Sequence, residues 1–224
     1  MKIRPYRVFP ALLIAFLALL VAGASSAQET YRIKITNVTR GQVLSPPIVV
    51  SHSIRAQVFN VGEPASAELA GVAEDADNGP LVAALQANPE VLEVLQGAGP
   101  LPPGATAEFD IQASSSFPRL SIVGMLVQTN DAFYGLDRYP MVDGNRDWRQ
   151  VIGLPAYDAG SEANNELCAF IPGPPCGNLF VRDTGDAEGY VHVHSGIRGI
   201  GDLSVEVYDW RNPAVSVTII RLDP

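Results

Sequence analysis

Short runs in which apolar and polar residues alternate at every second position recur along almost the whole chain. Tyr31-Arg32-Ile33-Lys34-Ile35-Thr36-Asn37-Val38 alternates in this way, as do Phe109 and Ile111 within 105–113 and Val215, Val217 and Ile219 within 215–222. A period of two sets one row of side chains on a core and the other in water, as in a half-buried strand. Residues 120–127 are apolar nearly throughout instead, so they read as a strand at the centre of a sheet. Further strand-like runs lie at 46–54, behind Pro46-Pro47, at 190–194 and 203–210, and more weakly at 148–156. Residues 65–76 and 81–95 read as short helices. Leu81, Leu85, Val91, Leu92 and Leu95 keep near-helical spacing, with a break or restart at Pro89. The remaining middle, rich in Gly, Asp and Asn, reads as loop. Short strands with turn-rich joins and little helix point to an all-β, antiparallel β-sandwich with short helical insertions.

The N-terminus reads as a leader rather than as part of that fold. Lys2, Arg4 and Arg7 precede an apolar run from Phe9 to Ala22, and Ser25 and Ala27 suit cleavage before Gln28. Residues 1–27 are expected to be a signal peptide and residues 28–224 a single β-sandwich domain. No later stretch reaches the roughly 18 apolar residues of a membrane span, so the expected location is secreted, periplasmic or extracellular. Residues 1–27 carry three basic and no acidic side chains, and their loss takes the formal net charge from −9 to −12. Such a surface repels nucleic acid and anionic lipid. Cys168 and Cys176 are the only cysteines, and in an oxidising compartment they are expected to pair around a small Pro- and Gly-rich loop.

Two acidic segments carry the candidate chemistry. Thr129-Asn130-Asp131-Ala132-Phe133-Tyr134-Gly135 and Tyr157-Asp158-Ala159-Gly160-Ser161-Glu162 each follow a strand-like run and place carboxylates in a Gly-containing loop. Carboxylates crowded at one end of a sheet repel unless a positive charge lies between them, and a hard cation with oxygen ligands supplies it. The alternative for each acid is a turn residue bonding its own backbone. Asp143-Gly144-Asn145-Arg146-Asp147 begins like an EF-hand loop, but Trp148 stands at the sixth position and Leu154 at the twelfth, where that loop needs Gly and Glu. Asp183-Thr184-Gly185-Asp186-Ala187-Glu188 reads as a solvated turn. His192 and His194, two apart on one strand, point to one face. With no Cys or third His positioned beside them, they read as polar strand residues on the outer face or near the sheet's end. Phe133, Tyr134, Tyr139, Trp148 and Tyr157 read as loop-supporting aromatics.

The stretches Arg119-Leu120-Ser121-Ile122-Val123-Gly124-Met125-Leu126-Val127, Thr129 to Leu136 and Tyr157-Asp158-Ala159-Gly160, with Thr36-Asn37-Val38-Thr39 and Gly189 to His194, resemble the spondin N-terminal domain family over about residues 31–222. The resemblance implies an eight-stranded antiparallel sandwich related in shape to C2 domains, with one calcium ion at its loop end. It places the family's acidic ligands on Asp131, Asp158 and Glu162; animal members usually have Asp at the last position. Where those members commonly have Trp-Phe after the first ligand, this chain has Ala132-Phe133.

Catalytic signatures are missing: there is no Gly-x-Ser-x-Gly elbow, no His-Glu-x-x-His helix and no phosphate-binding glycine loop. The expected function is therefore a secreted, calcium-binding module that contacts an extracellular or envelope protein or glycan, rather than an enzyme. The alternatives are a secreted hydrolase using the acidic loops, and a purely structural envelope protein without an ion.

Overall fold

The computed structural model describes residues 28–141 and 148–222. The expected signal peptide and the acidic loop at 143–147 lie outside these residues. Among them the strands are β1 (Glu29–Asn37), β2 (Ile48–His52), β3 (Val91–Gln96), β4 (Thr106–Ala113), β5 (Arg119–Met125), β6 (Ala132–Pro140), β7 (Arg149–Leu154), β8 (Ala156–Asp158), β9 (His192–Val193) and β10 (Val215–Leu222). They form two sheets of order β4-β1-β10-β7 and β3-β2-β5-β6-β8-β9, and all their pairings are antiparallel. The fold is an all-β sandwich, with ten described strands rather than eight; β8 and β9 are three- and two-residue pieces.

The alternation in β1 does what its period requires. Tyr31, Ile33 and Ile35 face the second sheet and are fully buried, joined by Val217 and Ile219 of β10 and by Leu120, Ile122 and Tyr134 across the sandwich. On the wet face, Arg32 pairs with Asp110 at 2.8 Å and Lys34 with Glu108 at 2.7 Å, each opposite its partner in the β1–β4 register.

The second sheet is buried on both faces, which explains why 120–127 shows no alternation. Its reverse side carries Ile48, Val50, Val123 and Phe133. Two helices cover that side, α1 (Ala67–Asp75) and α2 (Asn78–Gln86), through Leu69, Val72, Ala73, Leu81 and Leu85. Ser66 caps α1 by accepting from the Leu69 N–H. The architecture is thus three layers: sheet, sheet, helix pair.

Three local readings are corrected. The second helix ends at Gln86, not Leu95; after Pro89 the chain turns into β3 and pairs with β2. Two valines in six residues and an open edge on β2 outweigh the leucine spacing. Residues 203–210 are not a strand but contain a one-turn helix, α3 (Val205–Tyr208), with both valines exposed. β10, the nearest possible partner in sequence, is already flanked by β1 and β7. Finally, Ala132–Pro140 is strand β6 rather than loop. Its Phe133 and Tyr134 are core residues on opposite faces, and Phe133 packs with Phe59 and Tyr157 at ring separations of 5.1–5.6 Å. Trp148 packs edge-on against Tyr31. These aromatics build the cores instead of bracing loops.

Cys168 and Cys176 form a disulfide with Cα atoms 4.8 Å apart, closing the segment after β8. No helix among the described residues is long and apolar enough to cross a membrane.

Candidate metal centre

The acidic residues meet where β5, β6, β8 and β9 end. Beyond β5 the chain is turned by Thr129, whose Oγ1 donates to the Leu126 carbonyl and accepts from the Ala132 N–H. This sets Asp131 immediately before β6. β6 pairs with β8 so that Ala132 lies opposite Asp158, and the Asp131 carbonyl accepts the Ala159 N–H at 3.1 Å. Asp131 and Asp158 therefore occupy adjacent strand ends. The turn after Asp158 depends on Gly160, with φ +66; a Cβ there would lie 2.4 Å from the Tyr190 carbonyl oxygen. That turn brings three donors onto one oxygen of Asp131: Ser161 N–H, Ser161 O–H and Glu162 N–H, at 2.8, 3.1 and 2.9 Å from Oδ2.

Asp131, Asp158 and Glu162 are all buried. Asp158 Oδ1 accepts from the Gly160 N–H and its Oδ2 from the Asn164 amide. In contrast, Asp131 Oδ1 and Glu162 Oε2 are buried without a hydrogen-bond partner. Burial, then the nearby Asp158 charge, pushes Asp131 up to about 7 against the opposing N–H bonds of Ser161 and Glu162. Burial, followed by Glu74 and Asp131, pushes Glu162 up to about 9, with Arg182 opposing. Burial also raises Asp158, opposed chiefly by its Asn164 bond. Arg182 bridges Glu74 and Asp75 at the end of α1. Ionised, these acids would outnumber the one cation beside them, and burial with mutual repulsion therefore holds them toward their protonated forms, with two oxygens unused. Among the described residues, Asp131, Asp158 and Glu162 do not bring three ligand atoms within 4.8 Å of one another.

A second arrangement overlaps it. Asp158, Glu188 and His192 each offer one ligand atom, and these atoms lie within 4.8 Å of one another, close enough to hold a metal ion; Asp131 and Glu162 are not in this group. Glu188 stands in the exposed 183–188 turn, as expected, with its Oε1 3.9 Å from His192 Nε2, and His194, just past the end of β9, is buried against Trp210. The two histidines were legible as sharing a face, and both ring Nε2 atoms approach Asp158, at 3.7 and 3.9 Å. The other two members of the group are carboxylates, one of them opposite His192 in the β8–β9 register, a pairing that spacing along the chain does not reveal. Glu74, Asp75 and Arg182 also escaped notice, because α1 and residue 182 are joined only by folding.

A layered β-sandwich with buried acids at the loop end is the class of protein that this geometry defines. The family model described as Spondin_N matches residues 27–167, more than half of the chain, and the chain belongs to that family. The match includes Asp131, Asp158 and Glu162 and ends before Cys168, Glu188 and His192. Residues beyond the match still belong to the same sheets, since β10 lies between β1 and β7 and β9 extends the second sheet. No curated protein matches the chain.

Proposed function

We propose that this chain is an exported spondin-type binding module whose loop end holds one calcium ion between Asp131, Asp158 and Glu162. The observation that carries this reading is the pair of buried, unpartnered oxygens, Asp131 Oδ1 and Glu162 Oε2. An unsatisfied buried acceptor costs about 1–3 kcal/mol, and two such groups beside Asp158 favour an occupant that is positive and oxygen-seeking. A bound calcium ion supplies charge neutralisation and additional coordination for these acids. The protein's own residues do the rest. Gly160 shapes the turn, Ser161 and Glu162 N–H groups aim Asp131, and Asn164 holds Asp158.

The role of such a site is loop order, not catalysis. The burial of Asp131 and Asp158, 0% and 1% exposed, favours that role. The disulfide supports residence in an oxidising compartment. The partner would be an extracellular or envelope protein or glycan contacting the ordered loops or outer faces. Calorimetric titration of EDTA-stripped protein with calcium tests the reading, with one ion per chain expected. Absence of both a heat of binding and a calcium-dependent change in melting temperature would overturn it.

A further inference from the structure

We propose that Asp158, Glu188 and His192 form a second metal site, one that takes a zinc-type divalent ion through mixed nitrogen and oxygen ligands. The inference goes beyond the calcium reading and involves different chemistry, although the two sites share Asp158.

The argument begins with the tautomers of the two histidines. His192 Nδ1 lies 3.2 Å from the Val193 carbonyl oxygen, which can only accept, so Nδ1 carries the proton. That leaves Nε2 with its lone pair. Nε2 is buried, without a hydrogen-bond partner, and faces two carboxylate oxygens: Asp158 Oδ1 at 3.7 Å and Glu188 Oε1 at 3.9 Å. Asp158 Oδ1 accepts the Gly160 N–H and Glu188 Oε1 the Asn164 amide, so of the three atoms Nε2 is the one without a partner, and a cation between them would use its lone pair and offset the two negative charges. Donation of the other ring N–H to a backbone carbonyl is also the outer-shell arrangement that orients metal-bound histidines.

His194 has the opposite tautomer and a supporting task. The Gly196 N–H donates to its Nδ1, so the proton is on Nε2, which donates to Asn164 Oδ1 at 3.1 Å. That bond fixes the Asn164 amide, whose NH2 donates to Asp158 Oδ2 at 2.5 Å and Glu188 Oε1 at 3.1 Å. One amide therefore holds both acidic ligands in place, and a buried histidine holds the amide. The outer shell of the site is complete around ligand atoms that have no common partner.

Spacing and donor type select the ion. Tetrahedral zinc with bonds of 2.0–2.2 Å separates its ligands by about 3.3–3.6 Å, a few tenths of an ångström less than the two distances to His192. An imidazole nitrogen suits zinc and its neighbours, whereas calcium takes oxygen ligands. His192 and Glu188 side chains are 29% and 32% exposed, so the site lies at the solvent edge of the fold.

The test is titration of EDTA-stripped protein with Zn2+, with and without saturating calcium, and with Co2+ as a spectroscopic probe. One zinc per chain is expected in both conditions, and Co2+ should give the visible absorption of a low-coordinate, imidazole-bound ion. His192→Ala and Glu188→Gln should abolish both signals yet keep the calcium-dependent rise in melting temperature. Asn164→Ala should weaken zinc 10–100-fold. Asp131→Asn should leave zinc binding intact, so the two sites can fail independently. Zinc binding unchanged in both His192→Ala and Glu188→Gln, or no zinc bound by the unaltered protein, overturns the proposal.

Discussion

The Glu162 backbone N–H donates to Asp131 Oδ2 at 2.9 Å, while Asp131 Oδ1 and Glu162 Oε2 remain buried and unpartnered. One contact thus locks the two loop segments together and leaves each carboxylate with an oxygen to spare. The arrangement is costly by itself, and on the proposed calcium reading a cation that uses both oxygens makes it favourable.

Asp131→Asn and Asp158→Asn should each abolish the calcium-dependent rise in melting temperature, and Asp143→Asn should not. At calcium 100 times the dissociation constant the linkage is about 2.7 kcal/mol, roughly 5–10 °C for a domain of this size. Without calcium, Asp131→Asn should match or exceed the original stability, because it removes a buried charge that Asp158 repels. Differential scanning calorimetry with calcium and with EDTA checks each part. Loss of the rise in all three variants would misplace the site.

Gly160→Ala should destabilise the protein by more than about 1 kcal/mol, the lower end of the cost of a non-glycine residue held at positive φ. The added Cβ meets backbone atoms of Tyr190 at 2.4–2.9 Å, which cannot move aside as a flexible side chain can. Urea denaturation gives the stability, and calcium titration should show weaker binding because the Ser161 and Glu162 donors shift with the turn.

Arg182→Met should cost about 1–2 kcal/mol in equilibrium unfolding. It leaves Glu74 and Asp75 buried without their cation. Fully buried pairs cost 3–5 kcal/mol when broken, but the Arg182 side chain is 36% exposed and solvent screens it. Glu74→Gln together with Arg182→Met should recover part of the loss.

The contribution of His52 to stability should shrink as pH drops below about 6.5, opposite in sign to that of the buried Asp131 and Glu162, whose raised values favour the folded protein as pH falls. Burial holds the His52 imidazole below the ordinary histidine range. Below pH about 6.5 the unfolded chain takes up a proton that the folded protein refuses. The stabilisation from His52 is therefore complete above that pH and lost as pH falls toward the lowered folded-state value. The slope is at most about 1.4 kcal/mol per pH unit. His52→Gln should remove that loss between pH 6.5 and 5, so that the stability difference between variant and original protein changes across this range in a pH series of chemical denaturations.

The strands that alternate strictly were readable in advance, because a period of two in β1, β4 and β10 reports directly which face is dry. The doubly buried β5 was readable for the complementary reason. β6 was not, since Gly135, Asp137 and Arg138 interrupt its apolar residues and its place depends on pairing with β5 and β8. β3 was misread because leucine spacing fits either a helix or an edge strand until a neighbour is available. Asp131, Asp158 and Glu162 came from loop chemistry and family resemblance together, and the fold brings their loops side by side.

Local pattern by itself determined the all-β class, the central strand and the two acidic loops, since these depend on neighbours two to four positions apart. Tertiary structure alone decided that Asp158 faces His192 and Glu188, that Arg182 neutralises the end of α1, and that two acceptor oxygens stay unpaired. Those relations join residues 30 to 108 positions apart or concern burial. Distance along the chain carries no information about them, and only packing that excludes water turns nearby charges into a site.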